Sequence, residues 1–453
     1  MVSLTDYFGF DEYGTDTGTE LKAGVTTFLT MSYVVVVNPN VLAAGIQIEG
    51  GSAGRTVQMI AVVTIISAAL ATLITAVYAN RPFAQAPGLG LNAFFAFVVV
   101  GTLGVPWQTA LAAVVAEGIL FVLLTVGGAR EYVIRLFPTP VKKAVGAGIG
   151  LFLAIIGLQA MRVTAADEAT LVTLSPVLAA DPVAVISVAG LILTAALYVK
   201  RVPGAIVIGI LATTAVSCLA SFAGYAPFGG ELPPGNTLYE PAGLVGRTTI
   251  AYDPAAYDIA PLAGAFLEGL GSVDPVTFLF VLVTFFFVDF FDTAGTLTGV
   301  GQAAGFLDED GNLPEIEKPL LADAIGTTVG GMLGTSTVTT YIESSTGIDA
   351  GGRTGMTALV VAGLFVLSLA FVPLAAAVPI HASHLALVVV GILMLGNVTE
   401  IDWNDATQAV PAGLTILVMP FTFSIATGIA AGIVSYPFVN AFAGDRARVR
   451  LGH

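Results

Sequence analysis

Asp289, Asp292 and Glu343 sit in or beside stretches that are otherwise apolar enough to lie within a bilayer. An aspartate at the centre of an inserted helix costs about 3 kcal/mol, so the first pair together costs about 6 kcal/mol if left facing lipid. Acids at that depth face a protein interior or a water-filled cavity, commonly on the path of a substrate or ion. Glu117, inside Ala110-Leu-Ala-Ala-Val-Val-Ala-Glu117-Gly-Ile-Leu-Phe, is a fourth intramembrane acid. It is read either as a proton carrier or as a hydrogen-bond partner of an unwound neighbour. This chemistry points to transport.

The elements that must position these acids follow from composition. The 453 residues are 56% hydrophobic and only 10% charged, so apolar runs of about 20 residues fill most of the chain. An all-α, polytopic membrane protein is expected. Glycine reaches 52 residues, as close helix packing and helix breaks require. The single Cys218 excludes a disulfide framework and a cysteine metal site. The net charge of −15 is concentrated at the ends and in loops, which suits a high-salt medium and argues against nucleic-acid or anionic-lipid partners. Met1 to Glu20 lacks a basic flank before an apolar core, so it does not read as a cleaved signal peptide.

Hydropathy divides the chain into a cytoplasmic N-terminal segment (1–21), a first repeat (22–223), an extracellular connection (224–272), a second repeat (273–443) and a cytoplasmic tail (444–453). Seven spans are expected per repeat, near 22–44, 56–79, 84–101, 106–126, 141–161, 182–199 and 203–223. The second set is expected near 274–302, 318–334, 336–352, 355–377, 383–399, 408–424 and 427–443. An odd number per half inverts one repeat relative to the other. With the N-terminus cytoplasmic, thirteen basic residues fall inside and only Arg55, Arg162 and Arg247 outside, as the positive-inside rule demands. Both termini are therefore placed in the cytoplasm.

The third span of each half is broken. Pro87, Gly88 and Gly90 interrupt the first, and the run Thr335-Ser-Thr-Val-Thr-Thr-Tyr341 before Glu343 favours extended chain in the second. Paired interrupted segments at matching positions mark a midplane binding site. Short strands from the two spans are expected to pair, because extended backbone at that depth has no water to bond.

Four blocks carry a resemblance to a known family. They are Glu20-Leu-Lys-Ala-Gly-Val-Thr-Thr-Phe-Leu-Thr-Met-Ser-Tyr33 with Asn38-Pro39-Asn40, and Ala86-Pro-Gly-Leu-Gly-Leu-Asn92-Ala-Phe-Phe95. The others are Phe287-Val-Asp289-Phe-Phe-Asp292-Thr-Ala-Gly-Thr-Leu297 and Thr337-Val-Thr-Thr-Tyr-Ile-Glu343-Ser-Ser-Thr-Gly347 with Gly351-Gly-Arg-Thr-Gly355. On these blocks the chain resembles the nucleobase/ascorbate transporter superfamily, in its AzgA-like hypoxanthine–adenine–guanine permease branch. The resemblance implies fourteen spans in two inverted repeats. Spans 1–4 and 8–11 would form a core domain, and spans 5–7 and 12–14 a gate domain. It also implies uptake of purine nucleobases by elevator-like movement of core against gate, coupled to protons; sodium is the alternative ion that a high-salt medium offers. It implies a plasma-membrane location, a homodimer as one possible assembly, and no cofactor. Ser345-Thr346 departs from the small apolar pair expected there, which leaves the preferred purine open.

On that reading Asn92, Asp289 and Glu343 bind substrate, with Phe94 and Phe290 as aromatic faces and Phe95, Phe287 and Phe291 as further stacking candidates. A purine is flat and edged with donors and acceptors, which carboxylates and an amide can meet. Asp292 and Glu117 are expected to couple protons or brace the site, and Asp323 to cap or orient the ninth span. His381 and His384 are placed at an outer loop and His453 at the terminus, with no role.

Competing classes fit less well. An anion carrier of the same fold would be opposed by acids at its site. A uracil, xanthine or ascorbate carrier is the alternative within the superfamily. An intramembrane aspartyl protease lacks its Gly-x-Gly-Asp motif, and no zinc, serine-elbow or phosphate-loop motif is present. A channel has no need of a closed aromatic and carboxylate site.

Overall fold

The computed structural model describes residues 3–128, 138–223, 254–270, 274–308 and 313–444. Most of the expected 224–272 connection, the tail beyond residue 444 with His453, and Arg130, Arg135, Arg247, Arg446, Arg448 and Arg450 lie outside the described residues. Ten helical stretches among the described residues are long and apolar enough to cross a membrane, from Thr17–Leu42 to Ile425–Phe442. Four of the fourteen expected spans take other forms. The 84–101 region is a strand followed by the short helix Leu89–Ala93 and a π-helical turn, Phe94–Thr102. The 318–334 region is the 17-residue helix Glu317–Leu333, and 336–352 is a strand with the six-residue helix Ser344–Asp349. The 408–424 region is the shorter apolar helix Ala406–Thr422.

Local chemistry sets the ends of the helices. Asp16 caps Thr17–Met31 by accepting from Gly18 and Thr19 N–H groups, and Asp274 caps Pro275–Ala304 the same way, with Pro275 in the first turn where its missing donor costs nothing. That 30-residue helix, which carries Asp289 and Asp292, stops at Gly305 with φ 70°.

The helices pack in two groups. Thr139–Ala160 lies against Ile380–Met394, Ala406–Thr422 and Ile425–Phe442, while Pro182–Val199 and Ala205–Phe222 pair with each other and with Ile380–Met394. The other group joins Thr17–Met31, Ala53–Ile74, Trp107–Val126, Pro275–Ala304, Glu317–Leu333 and Gly355–Ser368. Close crossings rest on glycine. Gly150 and Gly391 approach so tightly that a Cβ on either would meet the other's carbonyl oxygen at 2.6 and 2.4 Å. His381 and His384 are not in a loop. Both lie in the first turns of Ile380–Met394 and are 2% exposed, because that helix begins at Pro379, earlier than its hydropathy suggests. The His381 ring Nε2 sits 2.8 Å from the Ser217 hydroxyl.

Strands β1 (Gln85–Pro87) and β4 (Val338–Thr340) pair antiparallel, with Gln85 opposite Thr340, Ala86 opposite Thr339 and Pro87 opposite Val338. Gly88 N–H donates to Thr337 C=O at 2.9 Å, and Tyr341 N–H donates to Ala84 C=O at 3.0 Å, extending the pair at both ends. Two strands have two outer edges, and each edge meets a threonine. The Thr72 hydroxyl accepts from Gln85 N–H at 3.0 Å and donates to Gln85 C=O at 2.9 Å. On the opposite edge the Thr327 hydroxyl accepts from Val338 N–H at 3.1 Å and donates to Val338 C=O at 2.9 Å. A second two-stranded hairpin, β2 (Thr164–Asp167) with β3 (Leu171–Leu174), lies exposed beyond Thr139–Ala160.

Thr327→Val keeps the side-chain volume and removes both edge bonds, orphaning a buried N–H and C=O. Stability should fall by about 1–3 kcal/mol, read as a lower unfolding temperature of the detergent-solubilised protein. Thr327→Ser should restore most of the loss, and a wild-type unfolding temperature for Thr327→Val would refute the edge role.

Candidate functional site

A cavity of about 410 Å³ opens between the two helix groups, beside the strand pair. One wall is built from Tyr33, Gly88 to Gly90, Phe290 to Asp292 and Thr339 to Glu343. The facing wall comes from Thr139–Ala160 and Ile380–Met394, with Gly146, Leu153, Val390 and Met394. Lys142, Lys143, Asn397 and Glu400 line one end, where Lys143 Nζ donates to the Glu400 carbonyl at 2.8 Å.

Glu343 holds the N-cap position of Ser344–Asp349 but makes no cap bond with its side chain. Its Oε1 instead accepts from the Tyr33 hydroxyl at 2.6 Å, a short bond that fixes the carboxyl group at the cavity wall. Tyr33 stands where the first span is interrupted, between Thr17–Met31 and Val34–Leu42, and its side chain reaches Glu343. Tyr341 hydroxyl donates to Pro87 C=O at 2.6 Å, so one aromatic ring of the wall is pinned to the opposite strand. Proline has no N–H, and its carbonyl is met by that side chain.

Asp292, Phe290 and Phe291 line the cavity, with the two rings edge to face at 5.5 Å. Asp289 does not. It is fully buried one turn earlier, with Oδ1 accepting from Thr293 at 3.4 Å and Oδ2 without a partner. Glu117 also stays out of the wall. Its Oε2 accepts from Thr337 at 3.4 Å and its Oε1 has no partner. Asp323 lies in the middle of Glu317–Leu333 and caps no helix; both its oxygens lie 3.2 Å from the Thr293 hydroxyl, which can donate to either. Asn92 is buried near the wall, two residues beyond Gly90, and neither amide atom has a partner. Phe94 packs edge to face on Phe285 at 5.0 Å, and Phe95 lies against the same ring. Phe287 packs on Phe286 and Phe291 and is absent from the lining.

The structure thus brings Glu343, Asp292 and Phe290 to one cavity and sets Asp289, Glu117, Asn92 and Phe94 apart from it. Sequence reasoning passed over Tyr33 and Tyr341. Their signal was available: a tyrosine in an apolar span needs a partner for its hydroxyl, and both stand within the quoted blocks. Lys142, Lys143, Asn397 and Glu400 carried no comparable signal. The hydroxyl of Thr346 goes to the Glu343 carbonyl at 2.7 Å and to Thr30 at 3.2 Å, outside the lining, so the departure at Ser345-Thr346 does not alter the cavity surface. Among the described residues no group of three or more His, Cys, Asp or Glu side chains is arranged to hold a metal ion. Chemically the cavity wall beside the strand pair offers the Asp292 and Glu343 carboxyl groups, several aromatic faces and threonine hydroxyls, suited to a flat ligand with N–H donors on its edge.

Residues 18–431 match the sequence profile of a permease family, that of the xanthine/uracil permeases. The guanine/hypoxanthine permease PbuO of Bacillus subtilis is 40% identical over 442 residues, covering 96% of this chain and 94% of that protein. The adenine permease AdeQ of Escherichia coli is 36% identical over 444 residues, covering 98% of this chain and 91% of that protein. Among solved structures, the transmembrane domain of the cyanobacterial bicarbonate transporter BicA superposes with a TM-score of 0.59 at 17% identity, over 92% of this chain and 97% of that one. At that identity the likeness is one of fold.

Access separates the two aspartates. With Cys218 replaced by serine, Asp292→Cys should react with a water-soluble thiol reagent at least about tenfold faster than Asp289→Cys, because modification requires an exposed thiolate. Equal rates would show that both acids face the same water.

Proposed function

The chain belongs to the xanthine/uracil permease family and is a multi-pass membrane transporter, not an enzyme, and on that premise we propose that it carries purine nucleobases across the plasma membrane. Two relatives matched over nearly their whole length are named for adenine and for guanine/hypoxanthine transport. The observation that carries the reading is the Glu343 carboxylate, locked by Tyr33 at the wall of a cavity that also presents Asp292 and the Phe290 ring. Glu343 and Asp292 accept from ring N–H and exocyclic amino donors, while Phe290, Phe291 and Tyr341 supply faces for the ring system. Asn92, with both amide atoms unpartnered, joins the ligand when the cavity closes on it.

The two helix groups are the moving parts in this reading. The group carrying the strand pair is the core and the other the gate, each assembled from both halves of an inverted fourteen-span repeat. The core slides as an elevator and carries its half of the cavity across the membrane. Charge supports the direction. Lys142 and Lys143 line one end of the cavity, and the positive-inside rule assigns that end to the cytoplasm together with both termini. The structure then corresponds to an inward-open state, and uptake is driven by protons. A same-fold anion carrier is the second reading, favoured by the likeness to BicA, but Asp292 and Glu343 at the wall would repel an anion.

Two measurements test this. Radiolabelled hypoxanthine uptake should be competed by adenine and guanine, little affected by uracil or sulfate, and abolished by a protonophore. Competition by sulfate alone would favour the anion reading, and uptake that follows sodium would remove the proton. In the purified protein, Glu343→Gln should weaken hypoxanthine binding about 10- to 150-fold, since a hydrogen bond to a charged group contributes about 1.5–3 kcal/mol. An unchanged Kd would remove Glu343 from the site.

A further inference from the structure

Apart from the cavity wall, three carboxyl groups converge from three helices. Glu117 comes from Trp107–Val126, Asp289 from Pro275–Ala304 and Asp323 from Glu317–Leu333, and all three are 0% exposed. Among the described residues none of them forms an ion pair with a lysine, arginine or histidine. The Glu117 and Asp289 side chains lie within hydrogen-bonding reach of each other, yet Glu117 Oε1 and Asp289 Oδ2 have no partner. Two ionised carboxylates are acceptors only, so such a contact is satisfied when a proton stands between them. Among the described residues the helices packed around the cluster bring one further acid to it, Asp292, and no base; Glu268 on Phe266–Gly269 is exposed, and Lys142 and Lys143 on Thr139–Ala160 line the end of the cavity. Ala53–Ile74 carries only Arg55, in its first turn, while Glu317 and Lys318 stand at the far end of their helix.

A hydroxyl chain joins this cluster to the cavity. Thr339 lines the cavity, and its Oγ1 is 2.7 Å from Thr293 Oγ1. Thr293 Oγ1 is 3.2 Å from both Asp323 oxygens and 3.4 Å from Asp289 Oδ1. A hydroxyl carries one proton to give and two lone pairs to accept. Thr293 can therefore accept from Thr339 while donating to a carboxylate, and then reverse.

We propose that Glu117, Asp289 and Asp323 form a proton store, separate from the substrate-binding wall and filled from the cavity through Thr339 and Thr293. Loading breaks an O–H bond of a protonated cavity water and forms one on a cluster carboxylate; the cluster becomes one charge less negative and nothing is oxidised or reduced. The store rests on the reading of the chain as a proton-coupled carrier and names where that proton sits. Its use follows from burial: a cluster with fewer net charges costs less to move through a low-dielectric interior.

Calorimetry of hypoxanthine binding to the purified protein in nanodiscs, run in buffers with different ionisation heats, counts the protons taken up. Wild type should take up about one proton per purine. Glu117→Gln should hold the Kd within about threefold while losing most of that uptake. In proteoliposomes it should retain hypoxanthine counterflow and lose accumulation driven by a pH gradient. Thr293→Val should behave alike, and Thr293→Ser, which keeps the hydroxyl, should restore coupling. Proton uptake unchanged in Glu117→Gln and Thr293→Val, or abolished only by Asp292→Asn, overturns the proposal. Infrared spectra of the ligand-free protein across a pH titration give a readout that needs no substrate: a buried protonated carboxyl C=O band should grow in wild type as the pH falls and be lost or shifted in Glu117→Gln. If wild type fails to bind hypoxanthine the transport reading falls, and the presence or absence of that band still decides the store.

Discussion

Backbone hydrogen bonding at bilayer depth is the constraint on which the rest of the structure depends. A strand pair of three residues each leaves polar edges that water cannot reach, and an unpaired group there costs several kcal/mol. The chain meets this with side chains from two flanking helices. Thr72 and Thr327 each bond both backbone groups of one strand residue, Gln85 and Val338 respectively. Ser344 hydroxyl takes the Ala84 N–H, and Tyr341 hydroxyl takes up the Pro87 carbonyl. Irregular backbone is thus permitted where it is enclosed by protein, and the cavity forms beside it.

The same strand geometry distributes the chemistry. Side chains alternate along extended chain, so Thr337 and Thr339 share a face. That face meets the acids, with Thr337 donating to Glu117 and Thr339 touching Thr293. Beyond the strand the chain turns at Ile342 and Glu343, which sets the carboxylate under the Tyr33 hydroxyl. Glycine is required where this part packs most closely: a Cβ at Gly88 would lie 2.6 Å from Thr339 Cγ2. A few residues of strand therefore bind a cavity wall and an acid cluster into one rigid piece.

The fold shared with a bicarbonate transporter shows how little architecture says about cargo. In this chain the two helix groups, the strand pair and the cavity between the groups supply the frame. What this chain adds is the sign and placement of a few side chains, with acids and aromatic rings at the wall and two lysines at one end.

The sequence by itself determined that the chain is a polytopic membrane protein, that two apolar stretches are broken, and which acids lie among apolar residues. These are local properties: apolar length, Pro87 and Gly88 where a helix should start, β-branched residues in a run, and carboxyl groups too costly to face lipid. It also carried the family, through blocks long enough to be specific. Only the tertiary structure decided what each acid faces. Asp289 and Asp292 are three residues apart on one helix, and an angular difference of about 60° between them, set by the 3.6-residue turn, sends one to the cavity and the other to Glu117 and Asp323. Periodicity fixes that angle but not the rotation of the helix about its axis, which depends on what packs against it. For the same reason the sequence passed over the bond from Tyr33 to Glu343, whose partners are separated by 310 residues and meet only because Ser344–Asp349 packs against Thr17–Met31.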